Sequence, residues 1–183
     1  MCHAPGLTGD ALRKYVETGI STDHECSTLA EAEEKIWLGM KILIREGSAA
    51  KNFDDLCRLI EKYPDMVILC TDDLHPDNLF IGHINNLIVR GLAKGLDVFS
   101  LLHSATLNPI KHYQIDLGLL QLYDTADFIV VDNLKDFTVL QAFSSGVCEY
   151  DRVGEKFDTP SQLFPNSSFL TLHSSTRLAH PKL

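Results

Sequence analysis

Along the first two-thirds of the chain, stretches with apolar residues at three- and four-residue spacing alternate with short extended runs, the pattern of βα units feeding a parallel sheet. Thr8 can cap a helix built on Leu12, Tyr15 and Val16, with Gly19 as its stop, and a short extended stretch follows over residues 20–24. Ser27 or Thr28 can cap a second helix whose apolar positions are Leu29, Ala32, Ile36 and Trp37, ending near Gly39. Residues 41–45 (KILIR) read as a strand. The turn Glu46-Gly47-Ser48 then leads to a third helix over about residues 53–62, stopped by Pro64. Residues 66–71 (MVILCT) form a continuous apolar run, as a strand buried on both faces requires, and it ends in Asp72-Asp73. Pro76 starts one long helix through Leu79, Ile81, Ile84, Leu87, Ile88 and Leu92, and a shorter helix covers about residues 98–107.

From Tyr113 the pattern changes to short strands at 128–132, 139–143 and 147–150, joined by polar turns such as Ser144-Ser145-Gly146. The remainder is polar with scattered apolar residues and reads as an irregular tail. The expected organisation is therefore α/β units over residues 1–112, the start of a small β-sandwich-like unit over 113–150, and a tail over 151–183. No repeat of solenoid period appears.

Length and charge narrow the function classes. A complete (β/α)8 barrel alone takes roughly 250 residues, more than the 183 present. A net charge of −9, from 16 basic and 25 acidic residues, argues against a phosphate-backbone partner, which needs a basic face. Five irregularly spaced cysteines without a C-x-x-C pair fit a reducing, cytoplasmic setting. The N-terminus has neither the basic nor the apolar region of a signal peptide, and no apolar run approaches the roughly 18 residues of a membrane span.

His3, His24 and Asp72 are the metal-capable residues at or near strand C-termini, where βα units keep their functional groups; for His3 the strand would precede the chain. A hydrolytic metal site needs neutral imidazoles and carboxylates that converge from separate strands and leave a coordination position open to water. Taken singly, each has an ordinary structural role open to it, as an exposed histidine or as the cap of a following helix. His75, His83, His103 and His112 read as structural or solvated. The H-x-E and P-C-x-x-C pattern of zinc nucleobase deaminases is absent.

The ordered series His3-Ala-Pro-Gly-Leu, Gly19-Ile-Ser-Thr-Asp-His24-Glu25-Cys26, residues 39–50 (GMKILIREGSAA), Cys70-Thr-Asp72-Asp73 and Ala105-Thr-Leu-Asn-Pro109 resembles bacterial and archaeal adenine deaminases of the amidohydrolase superfamily. The resemblance covers about residues 1–150. It implies a partial TIM-type (β/α)8 barrel, last strands and helices only, followed by a small β unit. It also implies a binuclear centre of divalent metal ions, Mn2+ or Fe2+, that deaminates free adenine to hypoxanthine and ammonia in purine salvage. In that family His3 matches the fifth-strand histidine, His24 the sixth-strand histidine and Asp72 the eighth-strand aspartate. An activated hydroxide would attack C6 of the ring, with Asp72 accepting its proton. Glu25 and Asp73 are then candidates for supporting or substrate-facing carboxylates.

The family's remaining ligands, a first-strand His-x-His and a fourth-strand glutamate, find no match in this chain, and Cys2 stands where the family usually has glycine. The expectation is a fragment with weak or no activity alone, whose partners are free adenine, the N-terminal half of the barrel and further copies of itself, with no nucleic acid and no membrane. Two other readings stand beside it: an amidohydrolase acting on a cyclic amide or another aminated ring, and a non-catalytic remnant or interaction module.

Overall fold

The computed structural model describes residues 3–152. Three strands, β1 (Thr22–Asp23), β2 (Lys41–Arg45) and β3 (Val67–Cys70), form a parallel sheet in sequence order. Thr22 pairs with Lys41 and Asp23 with Ile42, and Ile42 to Arg45 pair with Val67 to Cys70. Helix α1 (Gly9–Glu17) precedes β1, and α2 (Leu29–Trp37) crosses from β1 to β2. Thr28 caps α2 by accepting a hydrogen bond from the Glu31 amide. β2 and β3 present Ile42, Ile44, Val67 and Leu69 to a core that also takes in Phe53, Leu56, Ile60, Ile88 and Leu101.

The helices after β2 are shorter than the apolar pattern predicts. One helix expected over 53–62 is two single turns, α3 (Phe53–Leu56) and α4 (Leu59–Lys62). The long helix expected from Pro76 is broken into α5 (Pro76–Ile81) and α6 (Ile84–Ala93). Gly82 lies between them at φ 159, outside helical geometry. Its continuous apolar spacing concealed a change of environment: α5 has no buried residue, with Phe80 and Ile81 exposed, whereas Leu87 and Ile88 of α6 are in the core. The helix expected over 98–107 ends at Ala105 as α7 (Val98–Ala105), capped by Asp97, and Thr106 starts a further helix, α8 (Leu107–Tyr113). Pro109 did not suggest a helix, yet in the first turn its missing N–H costs little.

Gly91 of α6 faces Leu101 of α7 so closely that a Cβ there would run into the leucine side chain. Gly91→Ala should therefore destabilise the protein by about 1–3 kcal/mol through overpacking, read as a lower urea midpoint. An unchanged midpoint would show that Leu101 can move aside. Arg90 ties the same helix to the sheet, pairing with Glu46 and Asp54 and lying over the Phe53 ring.

The second sheet is antiparallel, β4 (Phe128–Val131), β5 (Val139–Ser144) and β6 (Val147–Asp151), in sequence order. Asp151, expected in the irregular tail, is the last residue of β6; the tail from 153 onward lies outside the described residues. Asp127 holds the unit's entry, accepting from the amides of Gly118 and Ser145. These bonds draw its carboxyl below the ordinary range. Phe137, in the β4–β5 connection, is fully buried within the same core as the parallel sheet. No helix among the described residues is long and apolar enough to cross a membrane.

Candidate metal centre

Parallel register sets the C-termini of β1, β2 and β3 along one edge, and there His24, Arg45 and Asp72 meet. His24 directly follows β1. Asn52 straps it down: its side-chain amide donates to the carbonyls of His24 at 3.3 Å and Cys26 at 3.1 Å, while its oxygen accepts from the Arg45 amide at 2.8 Å. The His24 side chain is 3% exposed, with Nε2 3.7 Å from Asp72 Oδ2. Its Nδ1 is buried without a hydrogen-bond partner among the described residues. Such an orphan costs about 1–3 kcal/mol, so the fold keeps a ring nitrogen unsatisfied at this edge.

His3 precedes the turn that leads into α1. Its ring meets that of His24 edge-on, with centroids 4.7 Å apart. His3 Nδ1 is 3.2 Å from Glu25 Oε1, which is 3.8 Å from Arg45 Nη2. One ligand atom each of His3, His24 and Glu25 lie within 4.8 Å of one another. Asp72 borders this group, its Oδ2 accepting from Arg45 Nη1 at 2.7 Å. A left-handed backbone at φ 47 turns the residue as it leaves the sheet, a conformation aspartate tolerates better than most side chains.

Asp73 points elsewhere. Its Oδ2 accepts from the Ala49 amide at 3.2 Å, and Gly47 approaches it so closely that a Cβ there would meet its Oδ1. It holds the loop after β2 rather than joining the histidines. Ser48 in that loop accepts from the His75 amide at 2.7 Å. His83 Nε2 lies 2.8 Å from the Thr71 hydroxyl, and burial lowers its pKa, which favours the neutral ring.

Sequence reasoning missed the layer behind these residues. Apolar spacing in α2 predicts an inner face of Leu29, Ala32, Ile36 and Trp37, but the helix buries Glu31, Ala32, Lys35 and Ile36 and leaves Leu29 and Trp37 exposed. Lys35 Nζ, fully buried, donates to Asp23 at 2.7 Å, Glu31 at 2.7 Å and the Ala4 carbonyl at 2.6 Å. Burial opposes both charges, yet the hydrogen bonds outweigh it, lowering the Asp23 pKa and raising that of Lys35. The available signal was the spacing of Glu31 and Lys35, one helical turn apart, which also describes an ordinary surface pair.

The amidohydrolase family model matches residues 1–148. The chain belongs to the amidohydrolase family. Proteins of this family generally use divalent metals. This amidohydrolase is 59% identical over 150 residues to an adenine deaminase of Methanosarcina mazei, a match covering 81% of this chain and 27% of that protein. An adenine deaminase of Sulfurovum sp. is 55% identical over 144 residues (79% and 27%), and one of Borreliella burgdorferi 48% over 148 residues (79% and 27%). The chain thus spans about a quarter of the length of these curated relatives. Among solved structures, a β-aspartyl dipeptidase from Fervidobacterium islandicum AW-1 is similar with a TM-score of 0.62 at 20% identity, covering 81% of this chain and 44% of that one. That likeness concerns the fold, a partial TIM-barrel-like α/β arrangement.

Proposed function

We propose that this amidohydrolase carries part of the catalytic centre of an adenine deaminase, converting adenine and water to hypoxanthine and ammonia. His3, His24 and Asp72 would hold divalent metal, Mn2+ or Fe2+, and Asp72 would also act in catalysis. The observation that carries this reading is the convergence of His24, whose buried Nδ1 has no hydrogen-bond partner among the described residues, with a second imidazole and two carboxylates. Imidazole and carboxylate donors suit a divalent first-row cation, and the 68% exposure of the His3 side chain leaves the group open to solvent. Such a cation supplies Lewis acidity and makes water a competent nucleophile near neutral pH.

The chain's own residues account for the proton. Asp72 is held on one oxygen by Arg45, and it would take a proton from water at the site and pass it to the ring or the leaving amine. Arg45, 2.7 Å from Asp72 and 3.8 Å from Glu25, orients both carboxylates. Glu25 supports His3 or faces substrate, and Asp73 orients the β2 loop. By resemblance, β1, β2 and β3 correspond to the sixth, seventh and eighth strands of the family barrel. Residues 1–112 would belong to that barrel and 113–150 to the following β unit. Adenine as substrate is supported by the adenine deaminases that are 48–59% identical.

The test is an assay for hypoxanthine and ammonia with adenine and Mn2+, run on the chain alone and with a polypeptide carrying the part of the Methanosarcina mazei enzyme that precedes the matched region. Expected is little or no turnover alone and measurable turnover in the mixture. A mixture that forms a complex and binds Mn2+ yet leaves adenine untouched would overturn the substrate assignment.

A further inference from the structure

The buried layer behind the candidate ligands is tied by hydrogen bonds to the segments that carry His3 and His24. Asp23 Oδ1 accepts from the Ala4 amide at 3.3 Å and from the Glu25 amide at 3.2 Å, so one carboxylate oxygen staples the residue after His3 to the residue after His24. Its other oxygen takes Lys35 Nζ at 2.7 Å and the Cys26 thiol at 3.2 Å. Glu31, the second anion on Lys35, accepts from the Gly6 amide at 2.7 Å and the Ser27 amide at 3.3 Å. Lys35 itself also donates to the Ala4 carbonyl. His3 lies outside the described strands and its own side chain is mostly exposed; the network holds the segment just after it, at Ala4 and Gly6.

We propose that Lys35 is a positioning residue, which through Asp23 and Glu31 holds the His3 and His24 segments at the separation a shared cation requires. The inference rests on the metal-centre reading above. Asp23, Cys26 and Glu31 also cluster as a ligand-like group, but the ammonium of Lys35 already occupies their midst, 3.6 Å from Cys26 Sγ. Packing alone does not explain a charge here, because an apolar side chain of similar volume fills a core at no greater cost than a buried ion pair. Residues that orient metal ligands from behind typically alter affinity by roughly 10- to 100-fold.

Two measurements on the full chain test this. In the metal-free protein, nuclear Overhauser contacts between the His3 and His24 rings should be present in the parent and lost in Lys35→Met, while contacts among Phe53, Leu56 and Ile60 persist. In titrations with Co2+, Lys35→Met should bind roughly 10- to 100-fold more weakly than the parent with an altered visible spectrum, whereas Ile60→Val, a core change remote from the network, should bind as the parent does. Ring contacts that survive in folded Lys35→Met, or unchanged Co2+ affinity, would overturn the proposal. If Lys35→Met loses its core contacts, Glu31→Gln takes its place; it keeps an acceptor for Gly6 and should weaken the ring contacts and binding in the same direction. A parent that binds no Co2+ would sink the metal-centre reading, and the ring contacts would still decide the role of Lys35.

Discussion

His24→Ala is expected to abolish tight binding of a divalent cation, raising the dissociation constant by at least about 100-fold, beyond what the loss of an outer supporting group costs. The metal-free variant should nevertheless fold about as well as its parent. Lost packing is offset by removal of the unpartnered Nδ1, whose burial costs about 1–3 kcal/mol. The two proteins should therefore part only when cation is added. At a hundred times the dissociation constant a bound cation stabilises the parent by about 2.7 kcal/mol, while His24→Ala gains nothing. Thermal unfolding with and without Mn2+ reads both effects. A variant that keeps the Mn2+ stabilisation would remove His24 from the ligand set.

The second large effect is on stability. Lys35→Met leaves Asp23 and Glu31 buried without their cation, a loss of about 3–5 kcal/mol for a broken buried pair. It should also change the response to pH. In the parent, Asp23 sits below its ordinary value of 3.8 and Lys35 above 10.5. Their contributions are complete between those values; that of Asp23 is lost as pH falls through its folded pKa, and that of Lys35 as pH rises through its own. Without the ammonium, burial is the largest influence left on Asp23 and raises its pKa, so the variant should gain stability as pH falls toward 4. Urea midpoints at pH 4.5 and 7 measure this, and a variant that loses stability on acidification would contradict it.

The strands were legible because a buried parallel strand admits almost only apolar residues, so the runs ending at Arg45 and Cys70 stand out against everything around them. Helix faces were less legible. In α2 a lysine and a glutamate occupy the inner face, and a pattern reader assigns charge to solvent because an unpaired buried charge is prohibitive. The pairing that offsets the burial comes from Glu31, one helical turn away, and from Asp23 and Ala4, which are distant in sequence. The break at Gly82 was hidden for another reason: the exposed residues of α5 are as apolar as the buried ones of α6. At the site, His3, His24, Asp72 and Glu25 could be nominated from chemistry and resemblance. Asn52 could not, since its strapping of β1 to β2 depends on the loop that brings residues 45 and 52 together.

Burial of Phe137 alongside the parallel sheet bears on the order of assembly during synthesis. Among the described residues, the last side chain to join this core is added some 70 residues after β3, so the nascent βα units emerge before it arrives. Domains emerging from N- to C-terminus expose apolar surface until their last contributor arrives. Among the described residues the β4–β5 connection is the latest contributor, and a pause in translation before it would prolong that exposure.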